Sequence, residues 1–174
     1  MALFHRATIT PTKAELIARW VPTQPWGPPT AVPIEVIGSF RFDDPEGRVG
    51  METHLVNANG TLLQIPLTYR DAPLDDAAGA FIGEMEHSVL GTRWVYDGVR
   101  DPLFIVILAA VTMTGQGEAL GMAVYDGRWH IAPSNVRLHG GGWTLERVPV
   151  DGFAVESDDD GMVVLCNDRF DLTL

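Results

Sequence analysis

Five histidines, one cysteine and 23 carboxylates are the side chains of this 174-residue chain that have the chemistry to move a proton, attack a carbon or hold a metal. His5, His54, His87, His130 and His139 include no His-x-x-x-His pair that would put two imidazoles on one helix face, and no Cys-x-x-Cys accompanies them, so no metal site is expected. Cys166 follows the apolar run Met162-Val163-Val164-Leu165, where a thiol behaves as a small hydrophobe. No Gly-x-Ser-x-Gly elbow offers a serine nucleophile. Gly140-Gly141-Gly142 lacks both the Lys-Ser/Thr ending of a phosphate loop and the spaced glycines of a dinucleotide turn. With Trp143-Thr144-Leu145 following, it reads as a β-turn. Glu156, Asp158, Asp160 and Gly161 occupy the first four diagnostic positions of a calcium loop, but Asn167 stands where the bidentate glutamate belongs, so the segment reads as a solvated hairpin tip. Glu52 with His54, and Asp97 with Arg100, have acid–base spacing and read as surface charges. No residue is assigned a catalytic role, and no cofactor is implied.

The aromatic residues offer binding chemistry instead. Trp94 and Tyr96 alternate onto one face of a strand, with Tyr69 on a neighbouring run. Such rings form platforms for sugars or other ring-shaped ligands, or they pack a core, and core packing is favoured here. Trp26, His54, Tyr69, Trp94 and Tyr96 are the candidate ligand-binding residues, lining a cleft between the sheet and a proline-rich arm. His87 alternates with Met85 and Val89 away from Glu84, Glu86 and Ser88, which predicts a buried, hydrogen-bonded core histidine.

The elements that must position these residues follow from periodicity and turn chemistry. Thr12 and Glu15 have capping-box spacing ahead of Leu16, Ile17 and Trp20, predicting a helix over 12–20 with one apolar face. Pro22, Pro25, Pro28, Pro29 and Pro33 exclude helix and central strand beyond it, leaving an extended arm packed by Trp26. Strands are predicted over 34–43, 48–57, 61–69, 83–90 and 92–97, separated by turns at Pro45-Glu46-Gly47, Asn59-Gly60 and Gly91, with consecutive strands pairing as a meander. Asp101 and Pro102 suit the cap and first turn of a helix over 101–114, and that apolar run is far shorter than the roughly 20 residues that cross a bilayer. Asp126-Gly127 is the strongest hairpin signal, and Gly140-Gly141-Gly142, Asp151-Gly152 and Asp158–Gly161 predict further β-hairpins to the C-terminus. The fold class is α+β: a mainly antiparallel sheet with an N-terminal helix and a second helix near 101–114, followed by β-hairpins. Residues 1–174 are expected to form a single domain.

Charge narrows the partners. Twelve Lys and Arg against 23 Asp and Glu give a net charge of −11, which repels nucleic-acid phosphates and anionic lipid. A single cysteine and the absence of a secretory leader at Met1–Arg6 point to the cytoplasm. The many hairpins leave edge strands that a homodimer would cover.

Three stretches carry a family resemblance. His5–Ile9 through Trp20-Val21-Pro22, Leu67–Leu74, and above all Gly91-Thr92-Arg93-Trp94-Val95-Tyr96-Asp97 with Asp101-Pro102, resemble the N-terminal cap domain of actinobacterial maltokinases over roughly residues 10–115. The whole chain resembles stand-alone maltokinase N-cap-like proteins, with residues 118–174 as a β-hairpin extension. The resemblance implies a curved antiparallel sheet with helices, broadly cystatin-like. It also implies what a kinase would need: a nucleotide-binding lysine, a catalytic aspartate and a magnesium-binding Asn/Asp pair. None has a counterpart here. Asn167–Leu174 is similar to the kinase strand that bears the lysine, but Thr173 stands in its place. The function so implied is a noncatalytic cap-like or interaction module, tied to glucan or trehalose metabolism through a sugar kinase or glycan enzyme. A sugar-like small-molecule binder or small enzyme is the alternative.

Overall fold

The structure is a computed structural model that describes residues 2–4, 7–28, 32–114, 118–125, 127–131, 136–139, 154–157 and 163–166. Two short strands, β1 (Ala2–Phe4) and β2 (Ile9–Thr10), precede helix α1 (Lys13–Trp20). The capping box forms as predicted: Thr12 Oγ1 accepts the Glu15 N–H while Glu15 accepts the Thr12 N–H. Eight residues are too few for a helix to persist alone, so α1 depends on burying Leu16 and Ile17 against the sheet, worth about 3–6 kcal/mol together. The proline-rich arm departs from expectation at its start. Val21–Thr23 is a 3-10 turn carrying Pro22 at its beginning, where a missing N–H costs nothing. Trp26 then packs edge-on against Trp20, centroids 5.5 Å apart.

Five longer strands follow: β3 (Ile34–Phe42), β4 (Gly50–Ala58), β5 (Thr61–Arg70), β6 (Phe81–His87) and β7 (Gly91–Asp97). The β3–β4 turn is organised by Asp44, whose carboxylate accepts the N–H groups of Glu46, Arg48 and Val49 at 2.9 Å each. Asn59 and Gly60 join β4 to β5 with φ of 53° and 90°, the paired positive values of a tight hairpin. The sheet order is β2-β6-β7-β5-β4-β3. β3, β4 and β5 form the expected meander, but β5 pairs with β7 rather than β6. The connection over residues 71–80 is long enough to carry the chain past one strand width, so β6 is laid down on the far side of β7.

Residues opposite one another on an antiparallel ladder share a face. Val56, Leu63, Ile65, Leu67, Tyr69, Met85 and Val95 pack with Leu16, Ile17 and Val21 beneath α1. The opposite face is covered by α2 (Pro102–Thr114), whose Phe104 and Leu108 pack on Phe40, Phe42, Met51 and Leu55. β3 serves both faces because its register shifts between Val36 and Gly38. Val36 opposes Val56 on the α1 side, whereas Phe40 and Phe42 oppose Thr53 and Met51 on the α2 side.

Beyond α2 lie β8 (Gly121–Tyr125), β9 (Arg128–Ile131), β10 (Val136–His139), β11 (Ala154–Ser157) and β12 (Val163–Cys166). β8 and β9 form the predicted hairpin, with Gly127 at φ 72°. β11 and β12 pair antiparallel, and the turn expected over 158–161 lies outside the described residues. Hairpins do not account for all of this region, because β10 pairs with β12, and β1 with β8, in parallel. Parallel partners are brought together by tertiary packing, which a local turn signal does not report. Val136 is fully buried in the α2-side core, joining β10 to the main sheet. The turn at Gly140–Gly142 and the segment 167–174 lie outside the described residues. No helix among the described residues is long and apolar enough to cross a membrane.

The junction of α2 with the sheet is polar. Asp101, fully buried, accepts from Thr68 Oγ1 at 2.7 Å, from Arg70 Nε and Nη2 at 2.8 and 2.7 Å, and from the Leu103 N–H at 3.0 Å. One carboxylate therefore caps α2 and neutralises an arginine of β5. Asp101→Ala leaves Arg70 and Thr68 without this partner and should cost roughly 3–5 kcal/mol in urea denaturation. Asp101→Asn, which keeps an acceptor for the cap, should lose about half as much.

Candidate functional site

The largest concentration of polar chemistry among the described side chains lies on the α1 face of the sheet. The β3 bulge turns Ser39 and Arg41 toward this face, opposite His54 and Glu52 of β4. Glu52 accepts hydrogen bonds from Lys13 Nζ of α1 and from Ser39 Oγ, the latter at 2.9 Å. His54 Nε2 lies 2.9 Å from the Tyr69 hydroxyl and 4.0 Å from Glu52 Oε1. Lys13 Nζ also sits over the Tyr69 ring, 5.1 Å from its centroid. Gly50 leaves the room this arrangement needs, since a Cβ there would stand 3.3 Å from Arg41 Nη2 and 3.4 Å from the Tyr69 ring.

Burial fixes the protonation states. Burial, the strongest single influence on Glu52, pushes its pKa up, but Lys13, His54 and Arg41 together outweigh it and hold the carboxyl at about 2. Burial also lowers His54 to about 4 against the opposing pull of Glu52, so its imidazole is neutral at pH 7. The Tyr69 hydroxyl is driven well above its ordinary value, chiefly by burial and then by Glu52. A general acid or base works best with a pKa near the operating pH, and these three groups lie far from it on either side. The cluster fastens α1 to the sheet by pairing a buried carboxylate with a helix lysine.

The sheet divides the five sequence-predicted binding residues. His54 and Tyr69 touch each other on the α1 face, and both are buried. Trp26 lies against the same core through Trp20. Trp94 and Tyr96 oppose Arg70 and Thr68, which places them on the α2 face. Tyr96 is buried against Phe81, and its hydroxyl accepts the Leu74 N–H at 2.9 Å. One cleft therefore cannot be lined by all five. Glu52 and Asp97 are buried rather than surface charges; Asp97 accepts the Val99 N–H and lies 3.9 Å from Arg100 Nε. His87 is only half-buried, and its Nδ1 accepts the N–H groups of Val89 and Leu90, tightening the β6–β7 turn instead of filling the core. Lys13, Ser39 and Arg41 carried no signal, because their meeting with Glu52 depends on the docking of α1 and on the bulge in β3.

Acid should loosen this joint in two stages. Unfolded, His54 takes a proton near 6.5, but folded only near 4, so its share of stability is full above about 6.5 and is lost as pH falls through that window. Glu52, shifted down from 4.5 to about 2, extends the loss below it. Urea denaturation should show a decline on the order of 3 kcal/mol between pH 6.5 and 4. His54→Gln should be less stable at pH 7 but markedly flatter across the same range; an unchanged slope would refute the assignment.

Residues 20–101 match the maltokinase N-terminal cap domain family. The matched stretch runs from the last residue of α1 through β3–β7 to the Asp101 cap of α2. No curated protein and no solved structure matches the chain. The antiparallel sheet with a helix on each face is consistent with that match, and residues 20–101 of this chain are similar to the maltokinase N-terminal cap domain.

Proposed function

We propose that the chain is a noncatalytic cap-like module that docks on a partner enzyme, a sugar kinase or glycan-handling enzyme of glucan or trehalose metabolism, in the cytoplasm. The observation that carries this reading is the outer face of α2. The helix runs for 13 residues, Pro102–Thr114, without one charged side chain. A helix that is apolar all round belongs in an interior, yet Pro102, Val106 and Ala110 are exposed at four-residue spacing, Val106 at 62%. Water is a poor partner for such a stripe, and a protein surface laid over it would remove the cost. The family match supports the cap role, and the buried, tightly paired state of Glu52, His54 and Tyr69 supports a structural use of the chain's best acid–base residues. Residues 1–174 act as one domain in this reading, supported by the burial of Val136 from β10 in the core beneath α2. With a net charge of −11, the preferred partner presents a basic or neutral surface around an apolar centre.

Affinity capture from cells of the source organism tests this. The wild-type chain should retain a sugar-phosphorylating or glycan-handling enzyme, and Val106→Glu, a surface change that leaves the core intact, should release it. Recovery of the same enzyme by both forms, or concentration-dependent dimerisation through α2 in sedimentation, would replace the docking assignment. Phosphorylation of maltose by the purified chain with ATP and magnesium would overturn the noncatalytic reading altogether.

A further inference from the structure

Among the described residues, the main sheet has an edge that the chain covers only in part. β2 pairs with β6 at Ile9–His87 and Thr10–Glu86, and one step beyond them Thr8 O accepts the Ser88 N–H. Backbone groups of a strand point to a given edge at every second residue, so the outward set runs Ser88, Glu86, Glu84. β2 stops before it reaches Glu84, because Thr12, the residue due opposite it, gives its N–H to Glu15 and turns the chain into α1. Among the described residues no strand pairs with this side of β6 from Met85 back to Phe81. A groove of about 430 Å³ runs along the uncovered stretch, with Ile82, Gly83 and Glu84 on one bank and Leu16, Arg19 and Trp20 on the other.

We propose that this groove accepts a short extended segment of a basic partner chain as an added strand on β6. The N–H and C=O of Glu84 supply the two ladder hydrogen bonds that β2 leaves unmade. The register then dictates the side chains. A residue opposite Glu84 shares its face, where the exposed carboxylates of Glu84 and Glu86 call for Lys or Arg. The next residue, opposite Gly83, points toward α1. Leu16 packs over Gly83, its Cδ2 3.2 Å from where a Cβ would stand, and with Trp20 it walls the groove, so an apolar side chain matches the lining. Arg19 is turned back on its own helix, its Nε donating to Glu15 O at 3.1 Å. Charge complementarity with a chain of net charge −11 favours the same basic, extended occupant. The site is independent of the exposed outer stripe of helix α2.

The test is an amide NMR titration of the full chain with the capped peptide acetyl-Leu-Lys-Leu-amide, whose flanking leucines serve either strand direction. The Glu84 amide should shift and saturate, and N-methylation of the peptide lysine should weaken binding at least ten-fold. Glu84→Lys should weaken the lysine peptide about three-fold and strengthen its glutamate counterpart by a similar factor. A Glu84 amide that does not move, equal binding of the N-methylated peptide, or preference of the wild-type chain for the glutamate peptide would each overturn the proposal. A concentration-dependent shift of Glu84 without peptide would show a second copy in the groove and overturn it as well.

Discussion

β4 and β5 are buried on both faces, and the other elements are arranged around that constraint. A strand covered on both sides must place every polar side chain against a partner or lose its hydration uncompensated. These two strands carry Glu52, Thr53, His54, Gln64 and Thr68 in buried positions, and Thr53 Oγ1 is left without a hydrogen-bond partner among the described residues. The solution is to let a helix on each side bring the missing charge or acceptor. α1 brings Lys13 to Glu52, and the start of α2 brings Asp101 to Thr68 and Arg70.

The two joints are alike in logic and different in detail. At α2 the carboxylate belongs to the helix cap and the cation to the strand, so capping and pairing are one interaction. At α1 the cation belongs to the helix and the carboxylate to the strand, and capping is left to Thr12 and Glu15. In both, hydrophobic burial supplies the bulk of the attachment and the ion pair fixes where along the sheet the helix sits. Breaking such a pair costs more than the pair contributes, which makes each joint a strong determinant of position.

A cap-like function is compatible with this construction. The chain invests its perturbed acid–base groups in holding helices in place, and among the described residues the charge-free outer stripe of α2 and part of the β6 edge stay open. One is an apolar face suited to a broad protein contact, the other a backbone edge suited to a short extended segment.

Local physics made the elements legible. The capping box at Thr12–Glu15, the Asp101 cap before Pro102, the Asn59-Gly60 and Gly127 turns and the runs of β3–β7 each depend on residues close together in the chain, and the sequence determined them unaided. The α+β class follows from their order, and the resemblance to maltokinase caps was legible in Gly91–Asp97 with Asp101-Pro102. Tertiary structure alone decided the non-local pairings, because β5–β7 and the parallel β10–β12 join residues with no local turn between them. It also decided which face each side chain occupies. A one-residue register shift in β3 exchanges the two sides of the sheet, so Ser39 and Arg41 join Glu52 and His54 while Trp94 and Tyr96 lie beyond the sheet from them. Alternation tells which residues share a face; only packing tells what that face meets.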